Sequence, residues 1–267
     1  MIRSSSVSVG DSSTVPADVD IVAPGGFTIG KCCYIGHGVK IHCWKFEAGD
    51  YLYIEDEAEI GRGGCFSSEQ SSVVMGNAVF LGSKAVINPN CLVTIGDETG
   101  IGSNVGIWTH GAYPSVLDGF PARFAPVTLG RRVWLTGQSQ VLPGVTIGDN
   151  VVISMLSLVN KDLPAGCLAG GIPVQVLRDN VYPAVVDRAA LLDGIMGEYL
   201  KSASWRSLDL HALDERKFNF DDLSINGGVG LTDVEEDYRD FLRRRGIRFL
   251  TGKPFKSIPH PLLVKCR

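Results

Sequence analysis

An aliphatic residue recurs every six positions through the middle of this chain, at Leu129, Leu135, Val141, Ile147, Ile153 and Val159. Four residues after each stands a small or aliphatic side chain: Val133, Ser139, Val145, Val151, Ser157 and Leu163. Earlier runs keep the period in other phases, as Ile29, Ile35, Ile41, then Ile54, Ile60, then Met75, Leu81, Ile87, then Ile95, Ile101, Ile107. A period of six is neither the 3.6 of an α-helix nor the 2 of a flat strand. It fits short strands joined by tight corners and stacked into a solenoid, with the aliphatic positions inward and Gly or Asn relieving the corners. The main interruption is 111–126, GAYPSVLDGFPARFAP, where the period vanishes.

The repeat bounds the domains. Residues 1–28 are polar and read as a loose N-terminal cap, 29–178 as the solenoid with its loop 111–126, and 179–267 as a C-terminal appendage. In the appendage, 181–203 spaces Val185, Ala189, Leu192, Ile195, Met196 and Tyr199 as a helix does. Thr232 and Glu235 form a capping box opening a second helix over about 232–245, ended by Gly246. Ile247–Leu250 then reads as a strand, which makes the appendage α/β or α+β.

Composition removes several classes of function. Twenty-five basic against 29 acidic residues give a net charge of −4, without the basic stripe a nucleic-acid binder needs. No apolar run reaches the roughly 18 residues of a membrane span, and the polar N-terminus lacks a secretory h-region, so a cytoplasmic protein is expected. Seven cysteines, Cys32, Cys33, Cys43, Cys65, Cys91, Cys167 and Cys266, contain no C-x-x-C pair and read as reduced, half-buried thiols.

The stretch 133–178 carries V-W at 133–134, L-P-G-V-T-I-G at 142–148, V-N-K-D-x-P at 159–164 and A-G-G-I-P at 169–173. In combination these resemble the C-terminal coils of the hexapeptide acyltransferases, in the branch of galactoside, maltose, xenobiotic and polysaccharide O-acetyltransferases. The resemblance covers about 29–178. It implies a left-handed parallel β-helix, a homotrimer, and acetyl-CoA held in the cleft between neighbouring subunits. The chain departs from the family pattern at Asn160, where Thr is common, at Ser154-Met155-Leu156 in place of G-A-G, and at Ile172 before Pro173.

Acetyl transfer from a thioester needs a base for the acceptor proton, donors for the developing oxyanion, and two substrates held in line. The resemblance places the base at His110, where the regular run ends and the loop begins. His37, His42, His211 and His260 read as structural or solvated. Asp118 and Asp97 are candidates to orient the His110 ring. By the same resemblance Lys161 and Arg178 meet the coenzyme phosphates, and Asn160 and Met155 belong to its site. Trp134 and Gly137 then line the wall of the pantetheine arm, with the Gly137 N–H also a candidate oxyanion donor. Tyr113, Phe120 and Phe124 could stack on a sugar or simply pack. No metal is expected, since a zinc enzyme on such a scaffold would gather three histidines at one interface. The leading expectation is an acetyl-CoA-dependent O-acetyltransferase acting on a sugar hydroxyl of a surface polysaccharide or its precursor. The alternatives are N-acetylation of a nucleotide-linked amino sugar, and a non-catalytic β-helix scaffold.

Overall fold

The computed structural model describes residues 1–61, 68–183, 186–226 and 230–259; Cys65, Val185, His260 and Cys266 fall outside them. The chain divides into two compact units, 1–183 and 184–267.

The first unit is a β-helix of three sheets. Face A holds, in ladder order, Ile2–Ser4, Asp20–Ala23, Lys40–His42, Glu59–Ile60, Val86–Asn88, Gly106–Trp108, Gln140–Val141 and Leu158–Val159. Face B holds Val7–Val9, Gly26–Ile29, Lys45–Ala48, Ser72–Met75, Val93–Ile95, Val127–Leu129 and Thr146–Ile147. Face C holds Tyr34–Ile35, Tyr53–Ile54, Phe80–Leu81, Gly100–Ile101, Trp134–Leu135, Val152–Ile153 and Leu168–Gly170, closed by Gln175–Arg178, which turns back antiparallel. The chain visits B, C and A in turn, so each strand pairs in parallel with the strand one full coil later: Ile95 with Leu129 with Ile147, and Ile101 with Leu135 with Ile153. The inward assignment follows the sequence period. Leu129, Leu135, Val141, Ile147, Ile153 and Val159 are all buried, and so are the six residues four places after them.

The expected Asn and Gly take the left-handed corner position in some coils, and Arg132, Gln138 and Leu156 take it in others. The left-handed residue falls three places after the inward one, at Asn104, Arg132, Gln138, Asn150 and Leu156, and glycine fills that place at Gly38 and Gly144. The glycines immediately after the inward residue answer to spacing instead. A Cβ on Gly36 would lie 2.5 Å from Asp56 Oδ1 and 2.6 Å from its backbone nitrogen, and one on Gly130 would lie 2.7 Å from the Asp149 nitrogen. Coils stacked about 4.8 Å apart leave no room there for a side chain.

Residues 1–28 are not a loose cap. Ile2–Ser4 and Val7–Val9 pair with Asp20–Ala23 and Gly26–Ile29, extending faces A and B with Ile21, Ala23 and Phe27 buried. Their polar residues face outward, which is why composition alone hid the coil.

The second unit contains helix α1, Arg188–Trp205, capped by Asp187, and helix α2, Asp233–Arg243, opened by the Thr232–Glu235 capping box. Between them a short antiparallel pair joins Phe218–Asn219 to Ser224–Ile225. Tyr199, Ala203, Phe218, Tyr238, Leu242 and Phe249 form its apolar core. The expected strand at Ile247–Leu250 is absent. Phe249 is buried there, but its carbonyl accepts from Arg239 Nη1 at 2.9 Å, so a side chain satisfies the group a ladder would have used.

Candidate active site

The loop 111–126 leaves the β-helix at the edge between faces A and B, after Gly106–Trp108 and before Val127–Leu129. Thr109 forms its neck. This fully buried residue donates through Oγ1 to the Asn88 carbonyl at 2.7 Å, and the same oxygen accepts from the Cys91 N–H at 3.0 Å. Its own carbonyl accepts the Ala125 N–H at 2.9 Å, which ties the returning strand to the departing one. The next residue, His110, pairs antiparallel with Phe124, and the two rings stack at 5.9 Å with 16° between planes. The imidazole is thus fixed by a neck on one side and an aromatic face on the other.

His110 Nδ1 is buried and meets no hydrogen-bonding atom among the described residues. Neither aspartate considered for that task reaches it. Asp97 Oδ1 accepts from the Asn77 backbone at 2.6 Å and from its side chain at 3.2 Å, on the edge between faces B and C. Asp118 belongs to an exposed 3₁₀ turn, Val116–Asp118, at the far end of the loop.

The other candidate residues separate into groups. Gly137 and Met155 are neighbours on the edge between faces C and A, where a Cβ on Gly137 would lie 3.7 Å from Met155 Cε. Met155, Leu156 and Ile172 are exposed along this edge, an apolar strip open to solvent. Trp134 stands on face C in the same coil as Gly137, half-exposed, with its ring lying over Gly100. Asn160 and Lys161 are exposed after the last strand of face A, and Lys161 Nζ donates to Gln175 Oε1 at 3.0 Å. Arg178 ends the antiparallel strand and donates to the Val181 carbonyl at 3.1 Å. Tyr113 is almost wholly exposed; Phe120 is also exposed, and only Phe124 of the three aromatic candidates touches His110. Within one chain, His110 at the A-to-B edge and the Trp134, Gly137 and Met155 group therefore occupy different edges of the prism.

Two residues of this site escaped sequence reasoning. Thr109 and Asn88 are polar yet buried, and Asn88 is in register with Trp108 one coil away. Their only signal was a polar residue at the end of an apolar hexad. Among the described residues the other histidines lie elsewhere: His37 lies 3.2 Å from Asp18, His42 Nε2 lies 2.9 Å from Asp20, and His211 is on an exposed turn. A groove of about 410 Å³ lies away from His110, lined by Gly38, Lys40, Glu57, Glu59, Lys84, Val86 and Asn104. Among the described residues no cluster of His, Cys, Asp and Glu could hold a metal ion, and no helix is long and apolar enough to cross a membrane.

No family model matches the chain. Among named proteins it is 33% identical over 116 residues to galactoside O-acetyltransferase of Escherichia coli K12, covering 43% of this chain and 57% of that one. The chain therefore spans little more than half the length of that relative. A crystal structure of a hexapeptide-repeat acetyltransferase from Vibrio cholerae with acetyl coenzyme A is 23% identical, with a TM-score of 0.33 over 54% of this chain and 69% of that one. The broadest match among these is to the colanic acid biosynthesis acetyltransferase WcaF of E. coli K12, 31% identical over 157 residues, 58% of this chain and 71% of WcaF. On that match and the coils described above, the chain belongs to the hexapeptide-repeat acetyltransferases.

Proposed function

We propose that the protein is an acetyl-CoA-dependent O-acetyltransferase acting on a carbohydrate hydroxyl, with His110 as general base. The proposal includes a left-handed winding of the coils and a homotrimer whose sites lie between subunits. The observation that carries it is the placement of His110. Thr109 pins the root of the loop, Phe124 covers one ring face, and the imidazole is held at the point where the chain leaves the β-helix. The coenzyme supplies an already activated acyl carbon, so the protein needs no nucleophile of its own. His110, as the neutral imidazole, takes the proton of the acceptor hydroxyl as its oxygen bonds to the thioester carbon; the C–S bond then breaks and coenzyme A leaves as the thiol, taking the proton from the imidazolium.

The exposed strip of Met155, Leu156 and Ile172, with Gly137 beside it, fits an extended pantetheine arm. Lys161 and Arg178 are exposed cations suited to its phosphates. The separation of this strip from His110 within one chain supports a site completed by a second copy, and the orphaned His110 Nδ1 supports a partner group supplied across that junction.

His110→Ala should lower turnover by roughly 10²–10⁴ with little change in coenzyme affinity, the range for loss of a general base. Lys161→Ala should weaken coenzyme binding and leave turnover at saturation nearly intact, because a remote phosphate contact serves ground and transition states alike. Acetylation assays over a sugar acceptor panel, beside light scattering for a mass near three times 28.7 kDa, check both parts. Normal turnover in His110→Ala would remove the assigned base.

A further inference from the structure

The strand that leads into His110 carries a second large ring. Ile107 and Thr109 are fully buried, while Trp108 and His110 are half-buried. Side chains alternate along an extended chain, so the indole and the imidazole project from the same side of it, with their Cα atoms roughly 6–7 Å apart. The indole is fixed from the next coil, where Gln140 Oε1 accepts from its Nε1 at 2.8 Å. Gly106, two residues earlier on the same side, makes the room, since a Cβ there would lie 2.6 Å from that nitrogen. The hydrogen bond uses the one polar atom of the ring, and what remains beside the imidazole is apolar. The core of this coil is complete without the ring, with Val105, Ile107 and Val141 buried.

The aromatic residues of the loop are worse placed to hold a molecule at His110. Phe124 already covers the imidazole, and Tyr113 and Phe120 are exposed and do not stack on it. A general base works only on a hydroxyl kept within hydrogen-bonding reach, so the rest of the acceptor must be fixed beside it. A planar apolar wall next to the base meets that need for a sugar ring, whose faces present C–H groups.

We propose that Trp108 is the platform on which the acceptor ring lies, and that Gln140 is the positioning residue that sets the angle of the indole. The inference rests on the proposed transfer to a carbohydrate hydroxyl at His110. It assigns the contact that decides which ring is held there, a residue outside the loop that interrupts the repeat.

The test is steady-state acetyl transfer by the full chain to a panel of methyl glycosides at saturating acetyl-CoA. Trp108→Leu, which keeps an apolar side chain but removes the ring, should raise the acceptor KM by roughly three- to tenfold, the value of one aromatic contact. Turnover at saturation and the KM for acetyl-CoA should stay near the parent values, because a stack on the acceptor serves ground and transition states alike. Trp108→Phe should recover part of the loss. Gln140→Leu should raise the acceptor KM by a smaller factor and add nothing to Trp108→Leu, as expected of two residues acting through one contact. Melting curves show which variants are folded, and if Trp108→Leu is not, Trp108→Phe and Gln140→Leu carry the test. An acceptor KM equal to the parent's in every folded variant would overturn the platform. So would a fall in turnover at unchanged KM, which would make Trp108 a support for His110, or a loss of oligomer mass, which would make it an interface between copies. Transfer by the parent with unchanged KM in the variants sinks the platform alone. No transfer by the parent to any glycoside sinks the enzyme reading, and the platform with it.

Discussion

The two units of this chain bury opposite kinds of side chain. In residues 1–183 the core is a column of aliphatic rows, and the polar groups inside it are mostly hydroxyls such as Thr99, Ser139 and Ser157, with Ser139 and Ser157 donating to carbonyls of their own coil. In residues 184–267 one helix, α2, buries Glu235, Asp237, Arg239 and Asp240 in succession. Each is paired: Asp237 accepts from both terminal guanidinium nitrogens of Arg206 at 2.8 Å, Arg239 Nε donates to Glu236 at 2.7 Å, Arg243 Nε donates to Asp240 at 2.8 Å, and Lys217 Nζ donates to Glu235 at 2.9 Å. A solenoid can rely on repetition, because each coil covers the apolar rows of its neighbours. The smaller unit adds buried ion pairs along α2 to a compact aromatic core, and such pairs hold only while every partner is present.

The largest expected effect comes from putting a charge where the repeat allows none. Ile147→Asp would bury a carboxylate among Leu129, Val145 and Leu163 with no cation to meet it, at a cost of several kcal/mol. Thermal unfolding followed by limited proteolysis should show the loss in the coils around 129–163. Unchanged stability would mean that Ile147 does not point inward.

This is also where the sequence was most informative. Six exact repetitions of an aliphatic residue leave only a coil of that length, and every row expected to be inward is buried. What it did not disclose was anything fixed by contacts across coils. Gly36 and Gly130 look like corner residues in sequence but answer to the backbone of the next coil, while the strained corners carry Arg132, Gln138 and Leu156. The place of His110 at the root of the loop was legible because it ends a periodic run, while its role as base rested on the resemblance. Thr109 and Asn88, which fix its position, were not, because their partners lie a coil away. Asp97 was drawn toward the site by its charge, yet its oxygen serves Asn77. In the second unit the capping box named the start of α2, whereas the pairing of Arg239 with the Phe249 carbonyl has no local signature.

The second unit offers the matching experiment. Asp237→Ala leaves the Arg206 guanidinium, 12% exposed, without its carboxylate and takes an acceptor from the Tyr199 hydroxyl and the Ile258 N–H. Removing one member of a buried pair costs about 3–5 kcal/mol. Replacing both, as Arg206→Met with Asp237→Leu, should recover a large part of that loss by denaturant unfolding. Failure of the double variant to recover would show that the hydrogen bonds of Asp237, rather than the charge of Arg206, dominate.

A smaller effect separates spacing from polarity. Gly130→Ala adds one methyl group against the backbone of Asp149 in the next coil, and overpacking of this kind costs roughly 1–3 kcal/mol. Gly194→Ala in α1, where nothing lies near the added Cβ, should instead stabilise by about 0.4–1 kcal/mol. Opposite signs of the shift in unfolding midpoint support a packing origin for the coil glycines. The same sign at both would mean that backbone freedom decides in each.

The gentlest probe is acid. In the coils, the Arg131 backbone N–H and then its guanidinium hold Asp149 below the ordinary carboxylate range, and the aspartate is 38% exposed. In the second unit, burial pushes Glu235 up, but the Lys217 ammonium and the Thr232 and Asp214 N–H groups outweigh it and leave the group depressed, with its side chain 1% exposed. Both groups have folded values below their unfolded ones. Their stabilisation is therefore complete above the usual carboxylate values, about 3.9 for Asp and 4.3 for Glu, and is lost as pH falls through the folded values. The two losses should differ in size, because water screens the Asp149 pair and not the Glu235 pair. Melting temperatures of the parent protein, Asp149→Asn and Glu235→Gln between pH 7 and 3 test this. The gap between parent and Glu235→Gln should be wide at pH 7 and close on acidification, while Asp149→Asn, which keeps an oxygen for the Arg131 N–H, should track the parent closely throughout. A gap for Glu235→Gln that stays constant to pH 3 would show that its charge contributes nothing and that its hydrogen bonds to Thr232 and Asp214 carry the effect.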